Sequence, residues 1–200
     1  MTTFFLIRHA ANDLVGHTLA GRMPGVHLNA LGRQQAEGVA ELLARAPIHQ
    51  IFSGPLERAQ ETAQFLAKRM RLEVQTAEAL GEIDFGDWTG LTLEQLAPVR
   101  QWQLFNSFRS GTRVPRGELA LESQARMVVF LDRLRQQFPD QTLALVSHGD
   151  VIKAAVAYYL GIPLDLFQRL EISPASVSAL VLEDYGPQIL YVNRVAENAP

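Results

Sequence analysis

Short apolar runs alternate with longer amphipathic stretches along this chain. Thr3 to Ile7 and Thr142 to Val146 are apolar at nearly every position and bounded by polar residues. Such runs suit strands buried on both faces, as in parallel sheets. Gln50 to Ser53 and Glu73 to Thr76 read as two further short strands. Between them, Asn29 is placed to cap a helix reaching about Ala46, with Leu31, Val39, Leu42 and Leu43 near helical spacing. Gly54-Pro55 punctuates the second strand, and Pro55 suits the first turn of a helix running to about Met70. Met127, Phe130, Leu131 and Leu134 mark an amphipathic helix over Glu122 to Phe138, and Asp150 opens another reaching Leu160. Val177 to Leu182 and Gln188 to Val195 alternate around Tyr185-Gly186-Pro187, the signature of a hairpin at a sheet edge.

Two stretches break this rhythm. Residues 10 to 28 carry three glycines and a proline without periodicity, and loops of that length in compact domains usually serve function. Leu80 to Gly117 mixes Gly, Pro and aromatic residues around short helices near Thr92 to Leu96 and Val99 to Phe108, which reads as an insertion. Strands alternating with helices predict an α/β fold: a three-layer α/β/α sandwich around a mostly parallel mixed sheet with an antiparallel edge. The 200 residues suit one core, so the expectation is a single domain over residues 1–200, with 80–117 as a cap or specificity insertion.

Composition narrows the chemistry. With 48% apolar and 20% charged residues the chain is not of the disordered class. Its 18 basic and 21 acidic residues form no polybasic run, so neither a nucleic-acid nor a membrane partner is expected. The absence of cysteine excludes disulfides, thiolate catalysis and Cys-ligated metal, and suits a reducing cytoplasm, the expected compartment. Phe4 to Ile7 follows no Lys or Arg and is too short for a signal-peptide core, while Lys153 interrupts the longest later apolar tract.

Two of the five histidines follow predicted central strands directly, in Ile7-Arg8-His9 and Val146-Ser147-His148. Ligands of open α/β sheets bind beyond the carboxyl ends of the strands, so both histidines point to one crevice. A single histidine there reads better as a structural residue; two, beside the small Ala10 and Gly149, read as a site. Arg8 and Arg58, the latter in the first turn of the helix after strand two, add guanidinium groups suited to a doubly charged oxyanion. Arg58 alone would read as a solvated charge paired with Glu57 or Glu61. Arg22 in the long loop is a further candidate contact to phosphate or substrate. Trp88, Trp102, Phe105 and Phe108 line a pocket or form core under the cap. Arg100, Arg109, Arg113 and Arg116 read as a solvated face, with binding of a second anion as the alternative. His17, His27 and His49 have no such context. A metal site on His9, His148 and Asp150 lacks compact ligand spacing, and Asp150 reads as a helix start.

Four segments then resemble the histidine phosphatase superfamily, the phosphoglycerate mutase-like family. Phe5 to Ala10 is similar to its Arg-His-Gly signature, with Ala10 for Gly. Ser53 to Ala63 resembles its second-arginine block, Gly81 to Gly90 its acid-base segment, and Val146 to Gly149 its second histidine. The resemblance implies that His9 is a nucleophile forming phosphohistidine, with Arg8, Arg58 and His148 as the phosphate clamp. By motif alignment it puts Glu82 in the role of proton donor, with Asp84 and Asp87 as nearby competitors. Asn12 and Gly149 are implied phosphate contacts. The family's Glu or Gln followed by Ser or Thr is Ala11-Asn12 here, and its Gly-Gly-Glu-Ser turn is Arg116 to Leu119, departures that touch substrate fit.

The expected activity is metal-independent and cofactor-free hydrolysis of a small phosphorylated metabolite. A phosphomutase of the phosphoglycerate mutase type is the alternative, and a silent phosphate-binding regulatory module a third reading. Residues 196 to 200 alone follow the last predicted strand, so a lid from a C-terminal tail is expected to be nearly absent, which favours water as acceptor. A homodimer stays open.

Overall fold

The computed structural model describes residues 1–196, so the expectation about a C-terminal lid lies, from 197 on, outside the described residues. The sheet contains β1 (Thr2–Arg8), β2 (Ile48–Ser53), β3 (Val74–Thr76), β4 (Thr142–Ser147), β5 (Val177–Glu183) and β6 (Gly186–Arg194), in the order β3-β2-β4-β1-β5-β6. The first four are parallel; β5 runs antiparallel to β1, and β6 antiparallel to β5. This is the expected mixed sheet, with the hairpin supplying its antiparallel edge.

The helices are α1 (Ala30–Leu42), α2 (Glu57–Met70), α3 (Leu93–Leu96), α4 (Arg100–Ser107), α5 (Ala120–Gln137) and α6 (Gly149–Leu160). Because side chains alternate across a strand, Ile7, Ile51 and Val146 pack under α1 and α2, through Ala36, Val39, Ala63 and Leu66. Phe4, Leu6 and Leu145 face the opposite way, onto Met127 and Leu131 of α5 and Ile152 and Ala155 of α6. Strands buried on both faces account for the continuous apolar runs.

Helix ends follow local chemistry. The Asn29 side chain accepts the Gly32 N–H at 2.8 Å and so caps α1. That helix stops at Leu42, short of Ala46, since Pro47 disfavours helical backbone at the preceding residue and the chain turns through an Ala46 N–H to Leu43 carbonyl bond. Pro55 lies just outside α2 rather than in its first turn.

The stretch 80–117 sits between β3 and α5 and carries α3 and α4. Trp88, Trp102 and Phe105 interlock there at 5.4 to 6.0 Å between ring centroids. Arg109 departs from the expected solvated face. It is buried, lies 4.5 Å from the ring centroids of both Phe105 and Phe167, and donates to Asp150 of α6 at 2.8 Å. Flanking aromatics and a carboxylate replace its hydration, so Arg109 ties the inserted segment to the start of α6. Arg113 pairs with Glu122 and Arg116 with Asp87 at the surface, while Arg100 is exposed.

Candidate active site

Strand register assembles the site. Arg8 lies opposite Ser147 in the β1–β4 ladder, so His9 and His148 leave adjacent strands at the same level. Their ring centroids are 5.1 Å apart. The His9 amide donates to the Ser147 carbonyl at 2.9 Å, extending the ladder by one residue and fixing that level. The next amide, of Ala10, is held by Thr62 of α2, whose hydroxyl in turn donates to the Arg58 carbonyl at 2.7 Å.

His9 is buried, and its Nδ1 lies 2.8 Å from the Ala10 carbonyl. A carbonyl only accepts, so Nδ1 carries the proton and the neutral ring keeps its lone pair on Nε2. Burial, with the Arg58 and Arg8 charges adding, pushes the His9 imidazole down to about 3. His9 is therefore an uncharged, unprotonated-Nε2 base at neutral pH, which is the form a nucleophile needs.

Two guanidinium groups flank it. Arg58 is almost wholly buried, unlike the solvated charge that its sequence context allows, because Glu57 and Glu61 are engaged by the amides of Gly25 and Leu28. Its Nη2 donates to the Gly21 carbonyl at 2.6 Å. Gly21 adopts φ +51°, and a Cβ there would meet Thr89 Oγ1 at 2.8 Å, so glycine is required to aim that carbonyl. Arg8 donates through Nη1 to the Ile172 carbonyl at 2.6 Å, and Gly149 packs on it: a Cβ at 149 would come within 3.3 Å of the guanidinium carbon. Arg8 Nε, Arg58 Nη1 and both ring nitrogens of His148 are buried with no hydrogen-bond partner among the described residues. Each such group costs about 1–3 kcal/mol if left unsatisfied, and the two guanidinium donors, which line one cavity with His9, suit an oxyanion there. The N-terminus of α6 opens on the same place, adding backbone N–H groups and the positive end of its dipole. Burial pushes the His148 imidazole well below its ordinary range, with His9 and Arg58 adding, so it too is neutral and offers one N–H.

A cavity of about 200 Å³ is lined by Arg8, His9, Asn12, Arg58, Glu82 and Gly149 among others, while His148 is wholly buried and does not line it. Asn12 Oδ1 accepts the Leu14 amide at 3.0 Å, which leaves its Nδ2 as a donor there. Leu14, Val15 and Leu19 from the long first loop, with Phe85 and Leu93, supply apolar walls. Trp88, Trp102, Phe105 and Phe108 do not line it: the first and third are core, and Phe108 is exposed.

Glu82 alone among the three acidic competitors faces the cavity. Asp84 accepts the Gly86 amide, and Asp87 pairs with Arg116. Burial, with Asp150 adding and Arg58 and Arg8 opposing, pushes the Glu82 carboxyl up to about 7. Its Oε2 is 3.7 Å from His148 Nδ1, too far for a hydrogen bond. The backbone of this loop is held from behind. Arg126 donates to the Ala79 and Glu82 carbonyls, Glu118 accepts the Asp84 amide and pairs with Arg126, and Ser147 donates to the Leu80 carbonyl. Arg22 belongs to this support: it donates to the Glu82 carbonyl at 2.8 Å and to Glu118 at 3.3 Å and does not line the cavity. Glu118 thus acts on the position of Glu82, so the altered turn at Arg116 to Leu119 reaches the loop that carries Glu82.

Two charged residues of the cavity lie outside the site the sequence predicts. Asp150 reads in the sequence as a helix start in preference to a metal ligand, and Lys153, one turn further along α6, as an interruption of an apolar tract. Residues i and i+4 share a helix face, so the spacing from Gly149 to Lys153 is the signal that could have found the lysine.

Arg58→Ala and His148→Ala are each expected to lower phosphomonoesterase kcat/KM on the order of 10²–10³-fold, the scale for one preorganised transition-state donor. Thermal melting of each variant separates lost charge from lost packing; retention of full turnover by a folded variant removes that residue from the clamp.

The histidine phosphatase superfamily (branch 1) model matches residues 4–195. Over 202 aligned residues, covering 96% of this chain and 92% of the relative, the chain is 29% identical to phosphoserine phosphatase 1 of Hydrogenobacter thermophilus. It is 30% identical, over 89% of its length and 84% of the relative, to a probable phosphoglycerate mutase of Yersinia enterocolitica. Among solved structures it resembles a phosphoserine phosphatase of Entamoeba histolytica in complex with 3-phosphoglyceric acid, with TM-score 0.88, 27% identity and 98% of both chains covered. A family match spanning nearly the whole length, carried on a sheet that brings two histidines and two arginines into one crevice, means that the chain belongs to the histidine phosphatase superfamily.

Proposed function

We propose that this chain is a phosphatase that hydrolyses a small phosphomonoester through a phosphohistidine on His9. The observation that carries the reading is the His9 Nδ1–H bond to the Ala10 carbonyl, which leaves the Nε2 lone pair as the free nitrogen beside two guanidinium groups. Nε2 attacks phosphorus in line, and the bond to the ester oxygen breaks as Glu82 gives that oxygen its proton. The Glu82 carboxylate then takes a proton from water, whose oxygen attacks the phosphohistidine and frees inorganic phosphate and His9. Arg8, Arg58, Asn12 and His148 hold the equatorial oxygens throughout, with the α6 N-terminus and Gly149 beneath them. Charge is matched: two guanidinium groups and two neutral imidazoles await a dianion. Bound phosphate raises the Glu82 carboxyl further, since a neighbouring negative charge disfavours a second one.

The size of the cavity, below the roughly 300–1,000 Å³ usual for drug-sized ligands, supports a metabolite of a few carbons. Segment 80–117 acts as a cap in this reading, with Phe85 and Leu93 as its contribution to the cavity wall. Phosphatase names among the relatives support water as acceptor, and a mutase-named relative at 30% identity keeps phosphoryl return to a sugar-acid hydroxyl as the second reading. Incubation with 3-phosphoglycerate and a trace of 2,3-bisphosphoglycerate, in excess EDTA, separates them. Phosphate release is expected to outpace formation of the 2-phospho isomer. Faster isomer interconversion makes the chain a mutase, and loss of turnover with the chelator overturns the metal-free chemistry.

A further inference from the structure

The wall of the cavity beyond the phosphate cradle carries one cation that the chemistry above does not use. We infer that Lys153 is a specificity-determining residue that binds a carboxylate on the substrate, so that the preferred substrates are short phosphomonoesters bearing a carboxylate. The inference rests on the proposed function only for where the phosphoryl group sits.

Lys153 stands in the second turn of α6, four residues after Gly149, a rise of about 6 Å along the axis. Helical side chains lean toward the helix N-terminus, so its ammonium reaches back along the cavity toward the phosphate end. Among the described residues it has no ion-pair partner, although Asp150 lies one turn away, because Asp150 is taken by Arg109 at 2.8 Å. Arg109 is itself buried between two aromatic rings and does not reach the cavity, so that pair leaves the wall with the single uncompensated charge of Lys153. One positive charge matches a carboxylate; a second phosphate dianion would leave one of its two negative charges unpaired. The remaining walls, Leu14, Val15, Leu19 and Leu93, are apolar and suit a carbon spacer of two or three atoms between the two anionic groups.

The test uses two ligands with the same three-carbon chain, 3-phosphoglycerate and glycerol phosphate, titrated calorimetrically into the full chain carrying His9→Ala, which cannot consume them. The first ligand is expected to bind about 10- to 100-fold more tightly than the second. Adding Lys153→Met should erase that preference while leaving glycerol phosphate within about twofold, and Lys153→Arg should restore part of it. Lys68, the chain's other lysine, lies on the exposed last turn of α2, and Lys68→Met reports any effect of net charge alone. No preference before the lysine is changed overturns the inference. So does a preference that survives Lys153→Met, an equal loss for both ligands, or the same loss with Lys68→Met. Failure of the catalytic reading shows elsewhere, as a wild-type chain that does not hydrolyse p-nitrophenyl phosphate, and leaves these binding ratios readable.

Discussion

His9→Ala is expected to reduce phosphomonoesterase turnover on the order of 10⁴-fold or more, the scale seen when a covalent nucleophile is removed. The reason is positional. The His9 nitrogen emerges from the end of β1 between Arg8 and Arg58, held by its own Nδ1–H bond to Ala10, while its amide is locked to Ser147. His148 cannot take over, because its ring belongs to a neighbouring strand, 5.1 Å away between centroids, and is wholly buried. Rapid acid-free quenching of the wild-type chain with a labelled substrate should trap acid-labile, base-stable phosphate, and the alanine variant should trap none. Normal turnover by a folded His9→Ala protein would sink the covalent mechanism.

Much of this site was legible because its parts lie at the ends of strands whose sequence pattern is strong. Ile7-Arg8-His9 and Val146-Ser147-His148 each close a run buried on both faces, so the strands' ends, and with them the histidines, were fixed by hydrophobic patterning. Arg58 was found by its place in the first turn after β2, but its burial was not, since the carbonyl that accepts from it, that of Gly21, lies 37 residues away in the long first loop. Arg22 and Arg109 show the limit from the other side. A loop arginine reads the same whether it meets substrate, solvent or a backbone carbonyl; only tertiary placement turned Arg22 toward the Glu82 loop and Arg109 between Phe105 and Phe167. Lys153 was obscured for a related reason: in an otherwise apolar helix a lone lysine marks solvent exposure as readily as a ligand, and the helix phase that points it into the crevice follows from Gly149 at the α6 start.

Glu82→Gln is expected to separate the two halves of catalysis by leaving group. For an alkyl phosphate the departing alkoxide needs a proton, and the amide cannot give one, so kcat/KM should fall about 10²–10⁴-fold. For p-nitrophenyl phosphate the phenolate leaves unaided, and the loss should stay below about tenfold. The pH profile carries the sign. The donor is the protonated carboxyl, and burial raises Glu82 to about 7, so alkyl-ester kcat/KM of the wild-type chain should decline as pH rises through about 7. On the acid side His9 must stay neutral, and its depressed value of about 3 keeps the nucleophile available down to that pH. The glutamine variant should lose the alkaline limb and keep the acid one. Parallel losses on both substrate types, or an alkaline limb that persists in the variant, would take the proton from Glu82 and return the role to an acidic neighbour, Asp150 being the one that also faces the cavity.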